Sequence, residues 1–89
     1  VTAIHRYVVP VDDGPHRHIL GGPIVHVASR ITDSVEFWAI HDDDGMQQQR
    51  AFQVVQTAEE IPAGARHVGS AVAPGGRFTW HLFELESTP

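Results

Sequence analysis

The sequence predicts an all-β protein: a compact antiparallel sandwich or half-open barrel of about six to seven short strands, with at most one short helical turn near residues 57–61. Three observations carry this. Runs rich in β-branched and aromatic residues recur along the whole chain, turn signals such as DDGP, GGP and APGG separate them, and no segment holds a 3.6-residue apolar stripe over ten residues. With 89 residues the chain forms one domain, 1–89. A domain of this size buries about 60 to 65% of its extended-chain surface and has a stability of roughly 4 to 13 kcal/mol.

Seven runs qualify as strands. IHRYVVPV (4–11) leads into DDGP, HRHIL (16–20) ends at GGP, and IVHVASR (24–30) ends at the turn of residues 32–34. VEFWAIH (35–41) runs into HDDDGMQQQR, RAFQVVQT (50–57) leaves it, RHVGSAV (66–72) ends at APGG, and RFTWHLFEL (77–85) follows. The single helical signal is TAEEIP, where Thr57 can cap and Glu60 completes a capping box before Pro62 stops the turn. Alternation sets Val35, Phe37 and Ala39 against Trp38 and Ile40, and Phe78, Trp80 and Leu82 against His81, Phe83 and Leu85. Both faces of these two runs are apolar, which predicts central strands of a sandwich or a face covered by another subunit. The first and last runs are expected to be neighbours, since pairing them would protect two free edges. A short echo, HVAS (26–29) before FW and HVGS (67–70) before FTW, links the halves.

Composition excludes several chemistries. There is no Cys, which removes disulfides, thiolate nucleophiles and Cys-type zinc sites. All six basic residues are Arg, so Schiff-base lysines and a P-loop are out. A formal charge of −5, with the arginines spread singly, argues against nucleic acid. No apolar run approaches the ~18 residues of a membrane helix, and no signal peptide is visible, so a soluble chain without membrane partners is expected.

HDDDGMQQQR is the most inviting stretch for a metal. Calcium loops alternate their oxygen ligands and close with a distant carboxylate, whereas Asp42, Asp43 and Asp44 are consecutive and diverge along an extended chain. Asp44-Gly45 reads instead as a hairpin turn. His16 and His18, two apart, could share a strand face and chelate a metal with an Asp from residues 42–44, which is the metal-dependent hydrolase alternative. No nucleophile elbow is present and no carboxylate pair has a setting that predicts separated pKa values, so neither catalytic residues nor cofactors are expected. Aromatic and histidine side chains near both ends suggest an interaction surface of His5, Tyr7, Trp38, Trp80 and His81, set against the plainer reading that both tryptophans are core.

IHRYVVPV, the Gly-Pro-Ile-Val-His-Val strand, VEFWAIHD, FQVV-x-T before IP, and TWHLFE resemble a family of small uncharacterised proteins of actinobacteriophages and actinobacteria, over nearly the whole chain. The chain departs from it at Gln56-Thr57-Ala58, where relatives carry Gly-Thr-Gly, so a glycine turn is not expected there. The resemblance implies a phage-encoded protein of the bacterial host cytoplasm and no particular activity. The expected function is a non-catalytic protein-interaction module acting on a host or phage protein, with a virion structural or assembly component as the second reading. Self-association is expected too, most simply as a two-fold dimer, weakened below about pH 6 by histidine protonation.

Overall fold

The computed structural model describes residues 1–12 and 14–86. Its strands are β1 (Thr2–Pro10), β2 (His16–Leu20), β3 (Ile24–Ile31), β4 (Ser34–Asp42), β5 (Gln48–Gln56), β6 (Arg66–Val72) and β7 (Thr79–Glu84). All pairings are antiparallel. They build a three-stranded sheet in the order β1-β4-β3 and a four-stranded sheet in the order β2-β5-β7-β6, packed face to face as an open sandwich. Strand limits fall within a few residues of the predicted runs, because turn residues punctuate the chain where alternation stops.

The core follows from the period of two. Val9, Val35, Phe37 and Ala39 from the three-stranded sheet meet Leu20, Phe52, Val54, Trp80 and Leu82 from the other. Phe37 lies 4.8 Å from Phe52 between ring centres and stacks on Tyr7 at 5.0 Å, with His18 edge-on to Phe37. This aromatic cluster joins the sheets, and burying a side chain such as Phe37 contributes about 2 to 3 kcal/mol. Trp80 is buried, and its indole N–H donates to the Thr32 carbonyl at 3.0 Å, tying β7 to the tip of the β3–β4 hairpin. β4 is the central strand of its sheet and β7, with β5, is internal to the other, the first of the two alternatives expected for them.

Connectivity departs from the sequence expectation in two places. The first and last strands are not neighbours: β1 pairs with β4 and β7 with β5 and β6, in different sheets. β7 is flanked on both sides and β1 keeps one free edge, and apolar content alone could not identify the partners. Residues 43–47 do form a turn, with the Gly45 amide on the Asp42 carbonyl and the Asp44 amide on the Asp42 carboxylate, each at 3.0 Å. However, β4 and β5 do not pair, so the turn is a corner between sheets rather than a hairpin.

TAEEIP forms no helix. The Glu59 amide donates to the Gln56 carbonyl, the Glu59 carboxylate accepts from the Gln56 amide at 2.7 Å, and Ala58 adopts φ +74°. That is a tight turn with a left-handed third residue, the position a glycine would favour. The glycine-turn geometry is therefore kept here by an alanine.

The two sheets share a unit. In sequence, β1, β3 and β4 form the order β1-β4-β3, and β5, β6 and β7 form the order β5-β7-β6. HVAS lies on the second strand of one unit and HVGS on the second strand of the other. In each unit a glutamate on the central strand binds arginines from both neighbours: Arg6–Glu36–Arg30 and Arg50–Glu84–Arg66.

Candidate functional site

Three places gather polar chemistry, and they differ in what covers them. The first is the outer face of the three-stranded sheet. Strand register puts Arg6 opposite Trp38, Ile4 opposite Ile40, and His26 on the other side of Trp38. Glu36 sits at the centre of this face with 2% of its surface exposed, because Arg6 and Arg30 lie across it. Arg30 binds it in fork geometry, two N–H groups at 2.7 Å each. These hydrogen bonds, first from Arg30 and then from Arg6, hold the Glu36 carboxyl down to about 2 despite the opposing cost of desolvation. The Arg30 guanidinium also lies 5.8 Å from the centre of the Trp38 ring, and His26 packs on that ring at 5.3 Å. Around this polar centre Ile4 is 61% and Val8 40% exposed. On this face Ile4, Val8 and His26 are exposed and Trp38 and Ile40 half-buried.

The outer face of the four-stranded sheet is covered in part by its own chain, while Val72 on β6 stays exposed. Val55 and Phe83 point outward yet are buried, because residues 57–61 fold over them and enclose a hollow of about 220 Å³. Beside it runs a hydrogen-bonded chain. His67 Nε2 and His81 Nδ1 both reach Ser70 Oγ, at 2.9 and 2.7 Å, and His81 Nε2 reaches Thr57 Oγ1 at 3.0 Å. Neutral rings satisfy this chain in either direction, since each hydroxyl can donate once and accept once. Among the described residues no carboxylate engages either ring. The chain pins the covering loop to the sheet.

The third place is a cleft of about 470 Å³ between the sheets, lined by Leu20 to Ile24, Gln48, Arg50, Arg66 and Val68. The two lining arginines hold Glu84, which Arg50 binds in fork geometry at 2.6 and 2.7 Å and Arg66 through one N–H. Arg50 first and Arg66 second keep the Glu84 carboxyl below the ordinary carboxylate range. Both cations are thereby committed to one half-buried acid.

The five residues expected to form one surface are dispersed. Trp38 stands on the outer face of the three-stranded sheet, whereas Trp80 is core and His81 is on the outer face of the other sheet. Tyr7 is half-buried against Phe37, and His5 stacks on His41 at 4.4 Å on the inward side of β1. His16 and His18 do share a face, but His16 binds Asp12 at 2.9 Å and His18 donates to the Val8 carbonyl at 3.0 Å. Asp43 pairs with His41. Among the described residues no three His, Asp or Glu side chains gather at metal-binding distance. Sequence reasoning passed over Glu36, Arg6 and Arg30. The available signal was Glu36 itself, a charge between Val35 and Phe37 and on the same face as Trp38 and Ile40, in a strand otherwise read as central, which demands a cationic cover.

These features define a small two-sheet β-sandwich that presents one bare face of tryptophan, isoleucine and arginine. The family model for a domain of unknown function, DUF7352, matches residues 1–89, and the chain belongs to that family. No curated protein and no solved structure gives a match.

Proposed function

We propose that this chain is a non-catalytic protein-interaction module, phage-encoded and acting on a host or phage protein in the bacterial cytoplasm, which it holds through the outer face of the three-stranded sheet. One observation carries the reading: of the two outer sheet faces, this one is left uncovered by the described chain, and it presents Trp38 among Ile4, Val8 and Ile40. Tryptophan and arginine are the usual anchors of such surfaces, and a contiguous apolar patch ringed by polar groups marks an interface. Charge selects the partner. The chain is −5 overall, but here Arg6 and Arg30 share a single carboxylate, so the face is locally positive. A partner surface that mixes acidic and apolar side chains complements it.

The test is capture from host lysate by wild type, Trp38→Ala and Val72→Glu, the last on exposed β6 of the other sheet. A partner held by wild type and Val72→Glu, lost with Trp38→Ala while its circular dichroism is unchanged, and protected from hydrogen exchange over an acidic–apolar patch, is the expected result. Equal capture by Trp38→Ala, or a basic patch on the partner, would sink the proposal.

A further inference from the structure

We infer that the open edge of β1 pairs with the same edge of a second copy of this chain, antiparallel and centred on Ile4, to give one six-stranded sheet across a two-fold dimer. This goes beyond the docking face and does not depend on it.

β1 is the outer strand of its sheet and is hydrogen-bonded only to β4, in unbroken register from Thr2 opposite Asp42 to Pro10 opposite Ser34. The Val1 carbonyl accepts from the Asp43 amide at 3.2 Å, which fixes the phase of the ladder. Successive residues of an antiparallel strand turn their backbone groups to opposite sides. Val1, Ala3, His5, Tyr7 and Val9 therefore face β4, and Thr2, Ile4, Arg6, Val8 and Pro10 face the free edge. An independent contact agrees: the outward Val8 carbonyl accepts from His18 Nε2 on β2.

The edge is guarded from Val8 onward and open before it. Pro10 has no N–H to offer, and the Val8 carbonyl is already taken. Among the described residues nothing pairs with the outward N–H and C=O groups of Thr2, Ile4 and Arg6, and the side chains of this stretch are exposed. Edges that must stay single are protected by lysines, prolines, bulges or a covering segment. Here no bulge interrupts the stretch, its centre is the exposed Ile4, and its one cation, Arg6, binds Glu36 on its own sheet.

The stretch is complementary to itself in one register. Centred on Ile4, Ile4 opposes Ile4 of the second copy, Thr2 opposes Arg6, and the inward Ala3 opposes His5. All three outward residues then exchange both of their backbone bonds. No like charges meet. Shifting the centre to Arg6 would set Arg6 against Arg6 and demand the Val8 carbonyl that His18 occupies, and shifting it to Ala3 would set Ile4 against Thr2 and lose the apolar pair. Like charges directly opposite are destabilising, and apolar pairs directly opposite are favourable.

The register makes the test specific. Wild-type chain at about 100 μM and neutral pH is expected to scatter light as twice the 9.8 kDa protomer. Ile4→Lys and Ile4→Glu, each placing a like charge against its own mate at an exposed position, are expected to be folded monomers, with the dimer weakened at least tenfold. Mixed in equal amounts, the two variants are expected to dimerise, since residue 4 of one copy meets residue 4 of the other. A monomeric wild type, or two variants that stay dimeric, overturns edge pairing. A mixture that stays monomeric overturns the Ile4 centre. Trp38→Ala, which abolishes docking on the sheet face, is expected to leave the dimer intact, so either reading can fail alone.

Discussion

Replacing Glu36 with Gln keeps the shape of the side chain and removes the charge that two arginines share. The wild-type carboxyl is held down to about 2 from an ordinary 4.5, and each pH unit of such displacement corresponds to ~1.4 kcal/mol, so ~3.4 kcal/mol is the ceiling. The real figure is smaller. Side chains of Arg6 and Arg30 are 52% and 63% exposed, and solvent screening at that exposure brings the expected loss to about 1 to 2 kcal/mol at pH 7. Urea unfolding followed by tryptophan fluorescence should show the midpoint fall by about 1 M. The sign of the pH dependence follows from a depressed carboxyl: its stabilisation is complete above the unfolded value and is lost as pH falls from 4.5 toward 2. At pH 3 less than half of the difference between wild type and Glu36→Gln should remain, because the wild-type folded chain then gains less from ionisation. Glu84 is present in both chains and cancels. A midpoint unchanged at pH 7, or a difference as large at pH 3 as at pH 7, would refute the claim that the arginine bridge stabilises the sheet through charge.

Ala58→Gly should raise the melting temperature by about 2 to 6 °C, since a left-handed alanine costs ~1 to 2 kcal/mol and the glycine's extra unfolded-state entropy takes back only part of that; a fall in calorimetry would mean the turn is not left-handed. Gly69→Ala should cost about 1 to 3 kcal/mol in chemical unfolding, because a methyl group there would lie 2.7 Å from Val27 Cγ2 where β6 crosses β3. Truncating Val27→Ala in the same chain should recover part of that loss, and strict additivity of the two changes would contradict the clash.

Much of the architecture was legible because it is local. Alternation in VEFWAIH placed Val35, Phe37 and Ala39 together, and they are the core; it placed Trp38 and Ile40 opposite, and they are the outer face. The same rule put Trp80 with Leu82, but with apolar residues on both faces of that run it could not say that theirs is the core. Grouping Tyr7 and His5 with Trp38 failed for a related reason. Within IHRYVV it is Ile4, Arg6 and Val8 that share a face with Trp38, but that parity is fixed only once β1 is known to pair with β4. Pairing is a long-range fact: the partner strand of β1 lies beyond two others in the chain, and nothing in either segment's composition names it. The arginine bridges were hidden by the same gap, since Arg6, Glu36 and Arg30 come together only through strand order.

Strand order also explains why one face is bare and the other covered. Both sheets contain the unit in which a first strand pairs with a third and the third with a second, and in both the connection between first and second strands must go somewhere. In the four-stranded sheet that connection is residues 57–65. It folds back over its own unit, held by Thr57 on His81, and buries Val55 and Phe83. In the three-stranded sheet the connection is residues 11–23, and it carries β2, which leaves the unit to pair with β5 of the other sheet. That exchange supplies Leu20 and His18 to the core and adds a fourth strand across the sandwich. It also removes from Trp38 and Ile40 the cover that Val55 and Phe83 possess. An outer face left this way needs its central charge neutralised from the sides, which Arg6 and Arg30 do, and its apolar remainder is the surface on which docking is proposed.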